Sequence, residues 1–242
     1  MSVITNPRRS RRHRLARSIA KFFGYIIAPT SSVDEFGNVS WCNSENYAGY
    51  ESIQIAASRQ KYGLSFARLN SCLEISDILQ SMGVLFDAII CHGVRQGKEL
   101  DFFTAQGFGR VLGTDLFVPD KVAGNIIKAN FSVGRPEWIG QFDVVYSNAI
   151  DHAQNIIETI DVWGEQLKND PRSTIVLEMD KGHGPAGSSD LDVSGINFST
   201  FPFKVLLESK TELLVSKIER SQSYPDRYYF FLQKNLVSPR GA

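Results

Sequence analysis

The residues that decide the fold are Phe86–Asp115, which read FDAIICHGVRQGKELDFFTAQGFGRVLGTD. Their first part is an apolar run of the kind that a buried parallel strand shows, and it ends at Cys91. The glycines that follow allow the backbone to turn tightly and to come close to a ligand. Lys98–Ala105 favours a helix, and Arg110–Thr114 predicts a second strand that closes on an aspartate. The stretch therefore predicts a strand, a glycine turn, a helix and a strand that ends in a carboxylate.

The spacing within this unit indicates a nucleoside ligand. Gly93 and Asp115 are separated by close to the roughly twenty residues that place an acidic side chain at the end of the second strand, where it accepts hydrogen bonds from ribose hydroxyls. The fingerprint of NAD-binding proteins is not met, because Arg95 stands at its second glycine and would obstruct a pyrophosphate. A nucleoside cofactor without a diphosphate fits better.

Three motifs carry a resemblance to a known family. They read CHGVRQGKE, VLGTD and FDVVYSNAIDH, and they occupy Cys91–Glu99, Val111–Asp115 and Phe142–His152. With these motifs the sequence resembles the class I S-adenosylmethionine-dependent methyltransferases, and the resemblance extends in order from Tyr47 to Lys234. The sequence departs from the commoner methyltransferase pattern because it has no acid just before the glycine turn.

The resemblance implies a fold, a cofactor and an activity. The fold is α/β, with a Rossmann-like, doubly wound, mostly parallel seven-stranded sheet and an antiparallel C-terminal hairpin at one edge. Strands that alternate with helical patterns along the chain favour the same parallel sheet. The implied cofactor is S-adenosyl-L-methionine, and the implied activity is transfer of its methyl group to a small-molecule acceptor.

The cofactor-binding residues that the resemblance implies lie where the strands end. They are His92, Gly93, Arg95, Gly97, Asp115, Leu116, Asn130, Phe131, Ser147 and Asn148. The glycine turn would cradle the methionine part of the cofactor, and Asp115 would take the ribose hydroxyls. Asn130 stands where an aspartate often contacts adenine in this family, although a simple turn residue is an equal interpretation.

His152 is the best candidate for a catalytic base, and Asp151 beside it could orient its ring. Methyl transfer from a sulfonium otherwise needs donor and acceptor held in line. A histidine at the start of a helix also serves as a cap or packing residue, so both interpretations stay open. The acidic and histidine side chains of the later loop, Asp180, His183, Asp190 and Asp192, fit no metal-ligand spacing, and no metal is expected.

Two other functions stay open at this point. One is a dinucleotide or nucleotide-sugar oxidoreductase, which would prefer NAD. The other is a catalytically inert nucleoside-binding module, which would bind the cofactor without turnover and use a basic tail to contact a membrane or nucleic acid.

The chain divides into a basic, partly disordered N-terminal extension (1–30), a linker (31–46) and a methyltransferase domain (47–242). Its formal net charge is zero, so no whole-molecule field favours nucleic acid. The local charge is different, because Arg8–Lys21 is crowded with arginines and no acid precedes Asp34. This segment predicts a short amphipathic helix that contacts a membrane or nucleic acid, acts as an organelle presequence, or simply packs on the domain.

Cysteine usage and hydropathy bear on the compartment. Cys42, Cys72 and Cys91 are an odd number without metal-ligand spacing, which favours a reducing interior. The apolar run Phe22–Ala28 is too short to span a bilayer. We expect a cytoplasmic protein, with organelle targeting or peripheral membrane attachment through the N-terminus as the alternative.

Four further features complete the predicted domain. Tyr47–Gln60 predicts a helix that, by the resemblance, covers the cofactor cleft. Ser71 and Glu74 predict a capping box at the start of the next helix. A helix is predicted from Pro119 to Ile127, followed by a brief strand that ends near Asn130 and Phe131. Lys181–Ser199, which is rich in glycine, serine and aspartate, predicts a long loop over the sheet edge.

Overall fold

The computed structural model describes residues 32–33, 39–41, 47–64, 67–119, 124–153, 155–180, 194–196 and 200–235. The helices in this part of the chain are α1 (Tyr47–Gln60), α2 (Leu69–Ser81), α3 (Lys98–Ala105), α4 (Ile156–Gln166) and α5 (Thr200–Lys210). The strands are β1 (Ser32–Val33), β2 (Val39–Trp41), β3 (Ala88–His92), β4 (Arg110–Asp115), β5 (Ile126–Lys128), β6 (Val144–Ser147), β7 (Thr174–Asp180), β8 (Ser194–Ile196), β9 (Leu213–Arg220) and β10 (Arg227–Lys234).

The main sheet has seven strands in the order β5-β4-β3-β6-β7-β10-β9. Strands β3 to β7 pair in parallel, whereas β10 runs antiparallel to both β7 and β9. The predicted fold class, a doubly wound and mostly parallel sheet with an antiparallel C-terminal hairpin, is confirmed. Strand order reverses between β3 and β6, and ligands of such sheets bind at the carboxyl ends of the strands at that point.

The core lies on both faces of this sheet, because successive side chains of a strand point to opposite sides. In β3, Ile90 belongs to a buried cluster with Trp163 of α4, while Ile89 belongs to a second cluster with Phe103 of α3. Strand β10 divides in the same way, with Phe230 in the first cluster and its neighbours in the second. Helices therefore pack against both faces of the sheet.

The predicted capping box at Ser71 and Glu74 is wrong. Helix α2 begins at Leu69 after an extended Arg68, and Ser71 is buried inside the helix. The Glu74 carboxylate instead accepts backbone N–H groups of Gln222 and Ser223 and the hydroxyl of a tyrosine in β10. The carboxylate thus holds the turn of the C-terminal hairpin against α2, a tertiary contact that no local motif encodes.

The region after Asp115 also differs from its prediction. Ile126 and Ile127, which were expected at the end of a helix, form strand β5 and pair with Gly113 and Thr114 of β4. Their β-branched side chains suit a strand, and pairing with β4 outweighs the weak helical pattern. The first part of the predicted helix, residues 120–123, lies outside the described residues.

A small antiparallel sheet forms between two segments that were predicted as a linker and a loop. Its order is β1-β2-β8, so residues 39–41 pair with residues 194–196. Strand β8 lies against the 3-10 turn Ile150–His152 that follows β6. The linker and the late loop therefore meet beside the carboxyl edge of the main sheet.

The basic extension, with Arg8–Lys21, lies outside the described residues. None of the helices in the described ranges has the length and apolar character that a membrane span requires.

Candidate functional site

Asp115 is the last residue of β4, and its carboxylate is fixed by two backbone amides. One oxygen accepts the N–H of Arg95 at 2.8 Å, and the other accepts the N–H of Phe117 at 2.9 Å. The side chain is 7% exposed. A carboxylate has about four lone-pair positions, so each oxygen retains capacity for one more donor. The structure thus presents a rigid acceptor at the end of the strand.

The glycine turn, residues 93–97, lies directly beside this carboxylate. Gly93 has φ of 78° and Gly97 has φ of 73°, both in the left-handed region that favours glycine. A Cβ at position 93 would stand 2.6 Å from the Cβ of Ala149 in the turn after β6. The amides of Gly93 and Val94 both donate to the carbonyl of Thr114, at 2.8 and 3.1 Å. The two turns at the point where strand order reverses are therefore packed closely together.

Arg95 has φ of 43°, the only positive value of a non-glycine residue among the described residues. This conformation aims its amide at Asp115, so the backbone of the turn and the end of β4 form one unit. Its guanidinium donates to the carbonyl of Leu64 at 3.4 Å, a long bond. The positive charge of Arg95 also attracts Glu99 through space, which opposes the rise in the pKa of Glu99.

Burial dominates the electrostatics of the two carboxyl groups in this region. It raises the pKa of Asp115, while the bonds from Phe117 and Arg95 and the charges of Arg95 and His152 oppose the rise. Glu99, on the first turn of α3, is 4% exposed. Burial, together with the nearby charges of Glu178 and Asp115, raises the pKa of Glu99 to about 7. Ionisation of both carboxyl groups is therefore less favourable here than in water.

His92, a predicted cofactor residue, has a side chain that is fully built into the core. Its Nδ1 is 2.8 Å from the hydroxyl of Thr114, and its Nε2 donates to Oε1 of Gln166 at 2.9 Å. The ring stacks on Trp163 with centroids 4.8 Å apart. Burial lowers the pKa of His92 to about 4, so the ring is neutral near neutral pH. In this arrangement its backbone, which begins the glycine turn, is the part that faces the strand ends.

Ser147 joins the two turns. Its hydroxyl donates to the carbonyl of His92 at 3.0 Å and accepts the N–H of Ala149 at 3.0 Å. Asn148 follows at a half-buried position. Both predicted residues therefore lie at the end of β6, next to the glycine turn, with Ser147 acting on the backbone of both turns.

Asp151 and His152 belong to the 3-10 turn Ile150–His152. Their carboxylate oxygen and Nε2 are 4.0 Å apart, with side-chain exposures of 9% for the acid and 32% for the histidine. The charge of His152 opposes the rise in the pKa of Asp115, so the two side chains interact across the strand ends. The structure therefore brings both predicted catalytic residues to the same edge as the predicted cofactor residues.

The remaining predicted residues lie on the other side of Asp115. Leu116 is half-buried directly after it, and the amide of Ala129 donates to the Asp115 carbonyl at 3.0 Å, which brings the next segment alongside. Oδ1 of Asn130 accepts the N–H of Ser132 at 2.9 Å, the bond of a turn residue. Phe131 is buried against His92, with ring centroids 6.0 Å apart.

Sequence reasoning missed several residues that shape this site. Gln96 donates through Nε2 to the carbonyl of Tyr62, and the rings of Tyr62 and Phe117 meet edge to face at 6.0 Å. Gln166 was not predicted either, although it holds His92. Each contact joins residues more than thirty positions apart in the chain, so no local pattern could have identified it. The sequence indicated this part of the chain only through helix α1, which was predicted to cover the cofactor cleft.

Comparison with known proteins supports the fold through solved structures alone. No family model matches the chain, and no curated protein matches it. A 1,6-didemethyltoxoflavin-N1-methyltransferase of Burkholderia thailandensis, solved with 1,6-didemethyltoxoflavin and S-adenosylhomocysteine, is 16% identical with a TM-score of 0.59, covering 86% of this chain and 92% of its own. An S-adenosylmethionine-dependent methyltransferase of Clostridium acetobutylicum is 8% identical with a TM-score of 0.50, covering 78% of this chain and 98% of its own.

At sequence identities of 16% and 8%, these two matches show a likeness of fold alone. The fit covers most of each chain, and the strand order with its antiparallel β10 accords with it. The chain therefore has the fold of the class I S-adenosylmethionine-dependent methyltransferases.

Proposed function

We propose that this protein is an S-adenosylmethionine-dependent methyltransferase that acts on a small-molecule acceptor. The observation that carries the proposal is the Asp115 carboxylate, which is held by two backbone amides at the end of β4 and stands beside a left-handed glycine turn. A fixed carboxylate at this place suits the two hydroxyls of a ribose. The Burkholderia neighbour binds S-adenosylhomocysteine and a small heterocycle, which supports the choice of cofactor and acceptor class.

The residues present fit such a cofactor. Asp115 would accept the ribose hydroxyls through the lone pairs that its amide bonds leave. The backbone of Gly93–Gly97 would hold the methionine part, because any Cβ at Gly93 would collide with Ala149 and the turn can only remain this close with glycine. Leu116, Asn130 and Phe131 would adjoin the adenine. The bound cofactor supplies a methyl group activated on a sulfonium.

We propose His152 as the general base for the acceptor, with Asp151 as the group that orients its ring. Three features support this role: the 4.0 Å separation of the two side chains, the partial exposure of the imidazole, and its influence on Asp115. A base must lie within reach of the proton that it removes, and a partly exposed ring at the sheet edge meets that requirement for a small acceptor. Ser147 and Asn148 would adjoin both the cofactor and the acceptor.

An oxidoreductase is the weaker candidate. A dinucleotide places its pyrophosphate against the glycine turn, and the second glycine of the usual fingerprint permits that approach. Here Arg95 takes the position, and its amide is already committed to Asp115 at 2.8 Å. A nucleoside that is joined to the rest of the ligand without a pyrophosphate meets no such obstruction.

Isothermal titration calorimetry of the purified full chain tests the proposal. We expect binding of S-adenosylmethionine and S-adenosylhomocysteine, and no binding of NAD at the same concentration. Tight NAD binding would contradict the proposal. Cofactor binding without methyl transfer, in a screen of small hydroxy, amino and carboxylic acids, would favour an inert binding module instead.

Replacement of Asp115 by alanine locates the ligand. The change removes charge-assisted hydrogen bonds to ribose, each worth about 1.5 to 3 kcal/mol at most, so affinity for S-adenosylhomocysteine should fall at least about tenfold. Asp101→Ala is the matched control, because it removes the same charge from an exposed position on the first turn of α3. An Asp115→Ala variant that binds as tightly as the native chain would place the nucleoside elsewhere.

A further inference from the structure

The segment Arg59–Leu64, which joins α1 to the chain that leads into α2, lies against the glycine turn and against Phe117. We call it the Tyr62 segment. Its backbone is held by local bonds, including the amide of Leu64 to the carbonyl of Lys61 at 2.9 Å. The segment is remote in sequence from the glycine turn and from the end of β4, yet it contacts both.

The glycine turn holds the Tyr62 segment through side chains. Gln96 donates from Nε2 to the carbonyl of Tyr62, and Arg95 donates from its guanidinium to the carbonyl of Leu64 at 3.4 Å. Both acceptors are backbone carbonyls, so the contacts depend on where the segment lies and very little on its side chains. Gln96 makes the closer of the two contacts and is half-buried.

The end of β4 holds the same segment through an aromatic ring. Phe117 meets the ring of Tyr62 edge to face, with centroids 6.0 Å apart and planes at 87°. The guanidinium carbon of Arg59 lies 5.3 Å from the centroid of the same phenyl ring. Edge-to-face rings and cation–π contacts each contribute about 0.5 to 1.5 kcal/mol, so this side of the contact is weak to moderate.

These two sets of contacts converge on Asp115. The residues that donate their amides to its carboxylate are Arg95 and Phe117, and both also extend their side chains to the Tyr62 segment. The segment therefore bridges the two sides of the carboxylate that we assign to the ribose. A nucleoside bound there would lie beneath the Tyr62 segment, which is held on both sides of the carboxylate.

The side-chain oxygen of Gln96 is a second feature that points to a ligand. Its Oε1 is buried and has no hydrogen-bond partner within the described part of the chain. A buried acceptor of this kind is suited to a donor from a bound ligand. The same amide thus fastens the segment with one atom and offers an acceptor with the other.

We infer that Gln96 is a positioning residue that closes the Tyr62 segment over the bound cofactor and thereby sets how fast S-adenosylhomocysteine leaves. The inference rests on the proposed function, because it takes the nucleoside at Asp115 as given. Opening requires loss of the Gln96 bond and of the Phe117 contacts, so exchange of the product for a new cofactor follows the movement of the bridge. Methyl transfer itself does not involve Gln96.

The test compares Gln96→Met, which keeps the length of the side chain and removes its donor, with Gln80→Met at an exposed position on α2. Stopped-flow displacement of S-adenosylhomocysteine from the full chain should show release about tenfold faster in Gln96→Met, since one hydrogen bond is lost. The KM for S-adenosylmethionine should rise while kcat does not fall. Gln80→Met should match the native chain.

Hydrogen exchange of the ligand-free protein gives a readout that needs no cofactor. Amides of residues 59–64 should exchange faster in Gln96→Met than in Gln80→Met, and S-adenosylhomocysteine should slow them in the native chain. Tyr62→Leu, which leaves the carbonyl in place and removes the ring, should accelerate release by a smaller factor. If Gln96→Met fails to fold, the rate at which Tyr62→Leu releases S-adenosylhomocysteine tests the inference in its place.

The two proposals fail in different ways. If the native chain does not bind S-adenosylhomocysteine, the proposed function fails and the inference about release fails with it. If the native chain binds and Gln96→Met and Tyr62→Leu both release the ligand at the native rate, only the role of Gln96 is overturned.

Discussion

The turns after β3 and after β6 meet at the same point in the sheet but are built in different ways. The turn after β3 is fixed by its backbone, through left-handed glycines and through amides that donate to Thr114 and Asp115. The turn after β6 is fixed by a side chain, Ser147, and it carries the buried Asp151 and the partly exposed His152. One turn is built from its backbone, and the other is built from side chains.

This difference explains why the cofactor can be proposed from the sequence and the acceptor cannot. A backbone-built turn requires glycine at fixed positions, and such positions form a motif. A side-chain-built turn tolerates many residues and depends on neighbours such as β8, which approaches from a distant part of the chain. We expect perturbations of the first turn to affect binding and stability, and perturbations of the second to affect turnover.

Replacement of His152 by alanine is the strongest test of the second turn. Loss of a general base should reduce turnover about a hundredfold or more, while affinity for S-adenosylhomocysteine stays close to native. Steady-state kinetics with an acceptor from the screen, together with calorimetry, would measure both. Imidazole added to the assay should restore part of the rate, and an equal loss of affinity and turnover would identify His152 as a structural cap.

The groups that flank the first turn should give stability an unusual pH dependence. His92 has its pKa lowered from 6.5 to about 4, so the unfolded chain binds the extra proton and stability falls as the pH drops through that range. Glu99 has its pKa raised from 4.5 to about 7, so stability falls as the pH rises. The two effects oppose each other between pH 4.5 and 6.5 and should largely cancel in the native chain.

Glu99→Gln should expose the contribution of His92. Between pH 7 and 4.5 this variant should lose about 3 kcal/mol more unfolding free energy on acidification than the native chain does. Urea unfolding at a series of pH values measures the loss, with Glu158→Gln at an exposed position of α4 as the control. Parallel curves for Glu99→Gln and the native chain would show that Glu99 is ionised in the fold.

Gly93→Ala tests the contact between the two turns. The added methyl group meets the Cβ of Ala149 at 2.6 Å, and such overpacking costs about 1 to 3 kcal/mol. Gly107→Ala separates this collision from backbone strain, because Gly107 also has positive φ but has no atom within 4 Å of an added Cβ. Thermal or urea unfolding should rank Gly93→Ala as less stable than Gly107→Ala. Ala149→Gly should restore part of the loss, and no restoration would mean that the turns separate freely.

Removal of Met1–Thr30 should produce the smallest change. The extension precedes every element of the strand-helix pattern, so cofactor affinity and cooperative unfolding should stay as in the full chain. Vesicles of anionic lipid test its separate role: binding that disappears with the extension and weakens with salt would indicate membrane contact. A truncated chain that aggregates would show that Leu15, Phe22 and Ile26 contribute to the core.

The fold could be predicted because its pattern is local. Helix α3 was predicted with its observed bounds, and β4 within one residue, since glycines mark their ends. The start of α2 was missed because Glu74 is used 148 residues away, at the hairpin turn. The brief strand that was expected to end near Asn130 and Phe131 lies earlier in the chain, as β5, because its place depends on pairing with β4.

The candidate site was predictable to a smaller extent. The prediction of Asp115 followed from spacing, and the structure places it beside the glycine turn. The side chain of His92 lies in the core, because Gln166, 74 residues later, completes its hydrogen bonds. Gln96 and Phe117 act through the Tyr62 segment, which folds back from an earlier helix. Contacts of this kind arise from tertiary packing, and a single sequence contains no record of them.

The position of β10 has a consequence for how the chain is made. This strand is the last of the main sheet to be synthesised, yet it lies between β7 and β9, and β9 pairs only with it among the described strands. Until Arg227–Lys234 has left the ribosome, β7 is an open edge and β9 has no place in the sheet. An open edge invites pairing with other chains. Premature termination within β10 should therefore yield an aggregating nascent chain in which the parallel strands β3 to β7 have already formed.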